Sequence, residues 1–131
     1  MHIFSKFDWN FRRQIEFNLL KKYIKTAKGG KLLDVACGKG DITNEFSKQF
    51  KETYGVDFSA KEIEIAKSQF PHINFSKQDA HKLELPSNYF DAVITNCSLE
   101  HFANGSRALL EMQRVLKKKA YSHSQLNVNQ K

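Results

Sequence analysis

Short apolar runs along this chain alternate with stretches in which apolar residues recur every three or four positions. Ile42, Phe46 and Phe50 have helical spacing, and a second amphipathic stretch runs from Ser59 to Phe70. The runs that read as buried strands fall at residues 32–35, 53–57, 73–75 and 90–95. Strands that alternate with helices are typical of an α/β fold with a parallel sheet, which is the fold class predicted here.

Two further helices flank this alternating region. The pattern predicts an amphipathic helix from about Trp9 to Ala27, with Leu19 and Tyr23 in its apolar stripe, ended by Gly29-Gly30. Near the other end of the chain, one apolar helix face is formed by Leu109, Met112, Val115 and Leu116. The N-terminal helix either covers a ligand site or packs on the sheet, and the pattern favours packing.

The first apolar run ends in the segment LLDVACGKGD, where Gly38 and Gly40 let the chain turn tightly before the next helix. A strand, a glycine turn and a helix N-terminus form the usual nucleotide cradle. Dinucleotide binding calls for a third glycine three residues after Gly40, but that residue is Thr43, and Asp34 lies inside the motif. A carboxylate there suits a cationic ligand better than a pyrophosphate.

The second apolar run also ends in an acid. Asp57 lies 17 residues after Gly40, close to the ~20 expected for a carboxylate that accepts ribose hydroxyls. Because crossovers between parallel strands are right-handed, the first two strands should be neighbours, with Asp57 and Gly38 at the same edge. The alternative is a surface acid that caps the next turn; Ser59 and Glu62 form a capping-box pattern there.

The motif D-x-A-C-G-x-G, together with FDAVITNCSLEHF and the later RVLK, resembles the class I S-adenosylmethionine (SAM) dependent methyltransferases of the small-molecule type. The resemblance covers residues 30–118. It implies a Rossmann-like three-layer sandwich with a mostly parallel sheet in the order 3-2-1-4, about four of the family's usual seven strands. It also implies that SAM is the cofactor and S-adenosylhomocysteine the product.

The resemblance assigns a role to each matching position. Asp34 and the turn would hold the methionine end of SAM, Asp57 the ribose and Asp79 the adenine, while Phe58 would pack on the adenine ring. The alternative for Asp79 is an acid that forms a turn within its loop. The alternative for Phe58 is a residue of the hydrophobic core. The remaining positions expected to line the cofactor site are Ala36, Cys37, Gly38, Gly40, Ala80 and Asn96.

Methyl transfer is an in-line displacement that depends mainly on positioning and needs no metal. A base is needed only if the acceptor holds a proton when it attacks. His101 is the candidate base, although a packing or positioning role is favoured, and Asn96 is the second catalytic candidate. The acceptor predicted by the resemblance is a small molecule. Cys37, Cys97 and His101 are only a weak signal for a metal site; buried thiols are favoured, and no metal is predicted.

Three units are predicted along the chain: an N-terminal helix over residues 1–29, a SAM-binding domain over 30–118 and a polar tail over 119–131. The family's Pro-Gly-Gly is replaced here by Lys118-Lys119-Ala120, and the tail offers no apolar run for a fifth strand. The fourth strand would then be an apolar edge. Either the chain is a fragment or a C-terminally truncated product, or a second copy or a partner protein covers this edge; we expect self-association.

The net charge of +7 comes mainly from lysine, with 17 Lys against 4 Arg, whereas nucleic-acid recognition favours arginine. The charge therefore does not indicate nucleic-acid binding. There is no apolar run long enough for a membrane span and no signal-peptide pattern, and the two cysteines suggest a reducing cytoplasm. Two alternative functions stay open: a non-catalytic SAM-binding or interaction module, and a nicotinamide-dinucleotide-binding domain.

Overall fold

The structure, a computed structural model, describes residues 18–95 and 101–118 of the 131-residue chain. Residues 18–27 are helical and form α1. The elements that follow are β1 (Lys31–Val35), α2 (Asp41–Ser47), β2 (Glu52–Asp57), α3 (Ala60–Gln69), β3 (Asn74–Lys77), β4 (Ala92–Ile94) and α4 (Gly105–Val115). No helix in these residues is long and apolar enough to cross a membrane.

The four strands form one parallel sheet in the order β3-β2-β1-β4. Val35 at the end of β1 is in register with Val56, next to the last residue of β2. The carboxyl ends of the strands therefore meet at one edge, where the glycine turn also lies. The predicted Rossmann-like fold and strand order are confirmed.

Both faces of the sheet are buried, as expected for a parallel sheet between helices. Leu32 packs on one side, with Ile24 of α1 and Phe46 of α2. The neighbouring Leu33 packs on the other side, with Met112 of α4. Because successive side chains of a strand point to opposite faces, one apolar run contributes to two cores.

The helix before the sheet buries a different stripe from the predicted one. Ile24 and Ala27 are buried, whereas Leu19 is 60% exposed and Tyr23 37% exposed. The two buried residues contact the cluster around Leu32. The part of this prediction that concerns residues 1–17 lies outside the described residues.

Some predicted boundaries are wrong by a few residues. The helix expected to reach Phe50 ends at Ser47, because Gly29 donates its N–H to the carbonyl of Gln49 (2.8 Å) and Lys51 donates to that of Gly30 (2.9 Å). These bonds turn the chain toward β2. Phe50 still packs on the cluster that contains Leu32 and Phe46. The fourth strand is shorter than its apolar run, since only Ala92–Ile94 pairs with β1.

The helix α4 is fastened to the loop that precedes β4. Glu111, 5% exposed, accepts hydrogen bonds from the Leu83 N–H and from Arg114 Nε, both at 2.8 Å. The guanidinium of Arg114 also donates to the carbonyls of Leu83 and Leu85. Hydrogen bonding from Arg114 holds the pKa of Glu111 below its usual range. This network fixes the loop that follows the Asp79 region.

The outer edge of β4 begins to pair with the chain that leaves α4. Leu116 forms a parallel bridge with Phe90, and Lys117 donates its N–H to the Phe90 carbonyl at 2.8 Å. Within the described residues, no strand continues this pairing alongside Ala92–Ile94. That a second copy or a partner covers this edge stays a prediction, and residues 119–131 lie outside the described part of the chain.

Candidate functional site

The turn between β1 and α2 is built from left-handed backbone conformations. Ala36 has φ +62°, Gly38 +58° and Gly40 +86°. The Cys37 N–H donates to the Val56 carbonyl (3.0 Å), and the Gly40 N–H donates to the Cys37 carbonyl (3.1 Å). Ala36 thus occupies a conformation that glycine favours, at a cost of about 1–2 kcal/mol. The hydrogen bond from Cys37 to Val56 fixes the turn against the end of β2.

Asp57 is locked in place by two backbone N–H groups. Its Oδ2 accepts from the Gly38 N–H at 2.8 Å, and its Oδ1 accepts from the Ser59 N–H at 2.9 Å. A carboxylate has about four acceptor positions, so about two are left for a ligand. The Ser59 hydroxyl accepts from the Glu62 N–H (3.2 Å), which is one half of the predicted capping box. In the second bond of a capping box, the Glu62 side chain would accept from the Ser59 N–H. Here Ser59 donates that N–H to Asp57 instead.

Asp34 lies beneath the turn and is only 2% exposed. Its Oδ2 accepts a hydrogen bond from the Thr43 hydroxyl at 2.7 Å, whereas its Oδ1 accepts none within residues 18–95 and 101–118. Burial raises the pKa of this carboxyl to about 7, the bond from Thr43 opposes the rise, and the charge of Asp57 adds to it. A buried carboxylate oxygen without a donor is a place for a cationic or N–H-bearing ligand.

The stability of the protein should therefore depend on the protonation of Asp34. Its folded pKa of about 7 lies above the unfolded value of about 3.9. The folded chain consequently holds more protons between these values, and stability falls as the pH rises through this window. We expect Asp34→Asn to remove this fall, which is on the order of a few kcal/mol at most. Urea unfolding at several pH values measures it, and parallel pH profiles for the two proteins would contradict the assignment.

A cleft of about 490 Å³ opens at the same edge of the sheet. Six residues predicted for the site lie in its wall: Ala36, Asp57, Phe58, Asp79, Ala80 and His101. Asp34, Cys37, Gly38 and Gly40 belong to the end of β1 and the turn and are not part of that wall. Asn96 lies outside the described residues. The wall is completed by Val35, Val56, Gln78, His81, Phe102 and Ala103.

Phe58 is 73% exposed, so its ring is a surface of the cleft and not part of the core. Lys77 Nζ lies 5.7 Å from the centre of this ring. The alternative reading of Phe58 as a core residue is therefore wrong.

Asp79 is held by its own loop. Its Oδ1 accepts from the backbone N–H of His81 (2.9 Å) and lies 2.7 Å from His81 Nδ1, and its carbonyl accepts from the Lys82 N–H (3.0 Å). The backbone and ring bonds from His81 lower the pKa of Asp79. The predicted loop-turn geometry is present, and the same geometry presents the carboxylate to the cleft.

Sequence reasoning did not single out His81 or Phe102. The two rings are in edge-to-face contact, with centroids 6.2 Å apart. His81 contacts Asn104, which is 23 residues away in sequence. Their only sequence signal is their position beside the predicted residues Asp79 and His101. Sequence spacing alone could not indicate that the two loops meet.

The surroundings of Cys37 show the sign of the local charge. Its pKa is raised by burial first, and then by the nearby carboxylates of Asp34 and Asp57. Its side chain packs against Phe75 and its neighbours instead of the cleft. In the described part of the chain, no three His, Cys, Asp or Glu side chains are grouped as a metal site would require. The carboxylates of Asp34 and Asp57 favour positive charge in a ligand bound near the turn.

These features fit SAM better than a dinucleotide. A pyrophosphate needs free N–H groups at the turn, but the N–H groups of Gly38 and Gly40 are already donated within the protein. The position of the third glycine is taken by the buried Thr43, which is bonded to Asp34. The unpaired oxygen of Asp34 suits the ammonium of the methionine end.

Comparison with known proteins gives the same family. Residues 33–122 match the family described as "Methyltransferase domain". The chain is 36% identical over 108 residues to 2-phytyl-1,4-naphtoquinone methyltransferase of Trichormus variabilis. This alignment covers 76% of this chain and 47% of that protein. It is 35% identical over 91 residues to demethylmenaquinone methyltransferase of Thermotoga maritima, covering 68% of this chain and 40% of that protein.

A solved structure with the same fold is that of the PH0226 protein from Pyrococcus horikoshii. Its TM-score is 0.71 at 34% identity, over 84% of this chain and 54% of that chain. This chain spans about half the length of the curated relatives it matches. Because the family match covers most of the chain and the parallel sheet carries the glycine turn at its carboxyl edge, the chain belongs to the methyltransferase-domain family of class I SAM-dependent methyltransferases.

Proposed function

We propose that this chain binds SAM in the cleft and transfers its methyl group to a small-molecule acceptor. The observation that carries the proposal is the pair of carboxylates at the glycine turn. Asp57 is clamped by the Gly38 N–H with acceptor positions to spare, and Asp34 keeps a buried oxygen without a donor among the described residues. Together they offer carboxyl oxygens where SAM carries hydroxyls and an ammonium; a bound ammonium would favour the ionised form of Asp34, whose pKa is about 7 without it.

Each of four residues contacts a different part of the cofactor. Asp34 receives the ammonium, Asp57 the ribose hydroxyls, and Asp79 the adenine amino group, while Phe58 lies against the adenine ring. Each role matches the group's chemistry, because ionised carboxylates accept strong hydrogen bonds from charged or polar donors. The backbone around the methionine end is supplied by Ala36, Cys37, Gly38 and Gly40, and Ala80 lies beside Asp79.

The acceptor side is formed by the segment that follows β4. His101 and Phe102 lie in the cleft wall, and Asn96 precedes them in the chain. When bound, SAM supplies a methyl group on a sulfonium, so the protein's main task is to align the acceptor with it. His101 either takes a proton from an acidic acceptor hydroxyl or orients it.

The acceptor class we favour is a hydroxylated aromatic ring of the naphthoquinol type. Two relatives are named as methyltransferases of 2-phytyl-1,4-naphtoquinone and of demethylmenaquinone. On the acceptor side, the apolar residues Phe102 and Ala103 of the cleft wall suit a flat apolar ring. Removing a proton from the quinol hydroxyl makes the ring carbon nucleophilic, and that is the step in which His101 would act.

The test incubates the full chain with isotopically methyl-labelled SAM and reduced demethylmenaquinone, and follows the label by mass spectrometry. We expect label in the quinone, and for His101→Ala a rate that falls by a much larger factor than its affinity for S-adenosylhomocysteine. Binding of S-adenosylhomocysteine without label transfer to any quinol would contradict the acceptor and favour the non-catalytic alternative. No binding at all would contradict the proposal as a whole.

A further inference from the structure

His81 connects the two walls of the cleft. Its Nδ1 lies 2.7 Å from Asp79 Oδ1, and its Nε2 lies 3.0 Å from the backbone nitrogen of Asn104. Asn104 is the N-cap of α4 and accepts from the Arg107 N–H (3.1 Å). One imidazole therefore touches both the loop after β3 and the start of α4.

The two contacts fix the tautomer of the ring. A backbone N–H can only donate, so His81 Nε2 must accept and carries no proton. The proton of the neutral ring then lies on Nδ1 and is donated to Asp79 Oδ1. Protonating both nitrogens, or moving the proton to Nε2, would break the contact with Asn104.

The same arrangement orients the Asp79 carboxylate. Oδ1 receives both the backbone N–H and the ring N–H of His81. Oδ2 accepts no hydrogen bond from the residues that the structure describes, and Asp79 lies in the wall of the cleft. Because the Asp79 side chain is 51% exposed, little else restrains its rotation. Without the ring N–H of His81, the carboxylate would lose one of its two fixed donors.

We propose that His81 is a positioning residue for adenine recognition: it holds Asp79 with one oxygen toward the adenine amino group and ties this loop to the start of α4. The inference rests on the proposed function, because it assumes that the cleft takes the adenosyl group. Arg107 Nε donates to the His81 carbonyl at 3.1 Å, which provides a second tie between the same segments without touching Asp79.

Two substitutions separate the two contacts of the ring. In His81→Asn the side-chain amide takes the place of Nδ1 and still donates to Asp79. In His81→Gln the amide takes the place of Nε2 and meets Asn104, so the donor to Asp79 is lost. Arg107→Gln is the matched control, because it removes a tie to the same residue and leaves Asp79 alone.

The readout is the ratio of affinities for S-adenosylhomocysteine and its analogue with unsubstituted purine, in which a hydrogen atom replaces the adenine amino group. We expect the wild type to prefer the adenosyl compound by at least about 10-fold, since the unsubstituted purine edge has no N–H to donate to a carboxylate. His81→Gln should lower this ratio by about 3- to 10-fold, whereas His81→Asn and Arg107→Gln should keep it. General loosening of the fold would weaken both ligands together and leave the ratio unchanged.

The wild-type protein offers a check that needs no variant. ¹⁵N NMR of the neutral His81 ring should show a proton on Nδ1 and none on Nε2, and the opposite tautomer would overturn the inference. A wild-type ratio in His81→Gln would also overturn it, as would a wild type without any adenosyl preference. A wild type that binds neither compound would instead overturn the proposed function.

Discussion

Asp57→Ala should weaken the binding of S-adenosylhomocysteine by about 100-fold or more, because each hydrogen bond to a charged group contributes about 1.5–3 kcal/mol and the ribose offers two hydroxyls. The substitution also frees the Gly38 and Ser59 N–H groups that the carboxylate now holds. Isothermal titration calorimetry measures the loss.

The control for Asp57 is another acid that accepts a hydrogen bond from a backbone N–H. Asp91 precedes β4 and accepts from the Lys31 N–H (2.8 Å), at the opposite edge of the sheet. Asp91→Ala should lower stability and leave the affinity of the folded protein within about twofold, because its site is remote from the cleft. Equal losses of affinity in the two variants would show that the effect of Asp57 is one of folding.

Gly40→Ala should destabilise the protein by about 2–4 kcal/mol, combining an unfavourable backbone conformation with overpacking. Its φ is +86°, and an added Cβ would lie 2.5 Å from a ring carbon of Phe75. Gly40 therefore permits both the turn and the close approach of β3. Chemical unfolding of the protein without ligand measures the change.

Gly38→Ala is the matched comparison. Its φ of +58° carries a similar backbone cost, but nothing lies within 4 Å of the added Cβ. We expect a loss of only about 1–2 kcal/mol. Combining Gly40→Ala with Phe75→Leu should recover part of the larger loss. If the two glycine variants are equally stable, the packing against Phe75 has been misjudged.

The sheet was predictable because its strands carry strong and simple signals. Leu32, Leu33 and Val35 form a short apolar run that favours a strand covered on both faces, and Leu32 and Leu33 are both fully buried. The acids at the strand ends could be placed at one edge because crossover handedness is nearly invariant. The meeting of Asp57 with Gly38 followed from those two facts, whereas the full strand order was implied by the resemblance to the methyltransferase family.

Boundaries and side-chain partners were harder to predict. Apolar spacing correctly grouped Phe50 with Phe46. It could not show that Phe50 lies beyond the end of α2, because the backbone bonds that end this helix involve Gly29 and Gly30, which precede β1. In the first helix the spacing puts Leu19 in the apolar stripe and Ile24 alongside it, whereas Ile24 is buried and Leu19 is 60% exposed. Adjacent stripes look alike in sequence.

The contacts within the site depend on loops that meet only in three dimensions. The composition around Asp79 predicted a turn, but not that His81 would join it to Asn104. The buried partner of Asp34 was hidden for a similar reason: Thr43 was noticed only as a missing glycine, although its hydroxyl completes the site. The division into residues 1–29, 30–118 and 119–131 stays a prediction.

A crystal structure of the chain with S-adenosylhomocysteine would show the proposed contacts themselves. We expect the ribose hydroxyls within about 2.6–3.2 Å of Asp57, the adenine amino group at Asp79 Oδ2, and the ammonium beside Asp34 Oδ1. A ligand bound away from the carboxyl edge of the sheet, or an adenosyl group that leaves Asp57 without a contact, would contradict the proposed site.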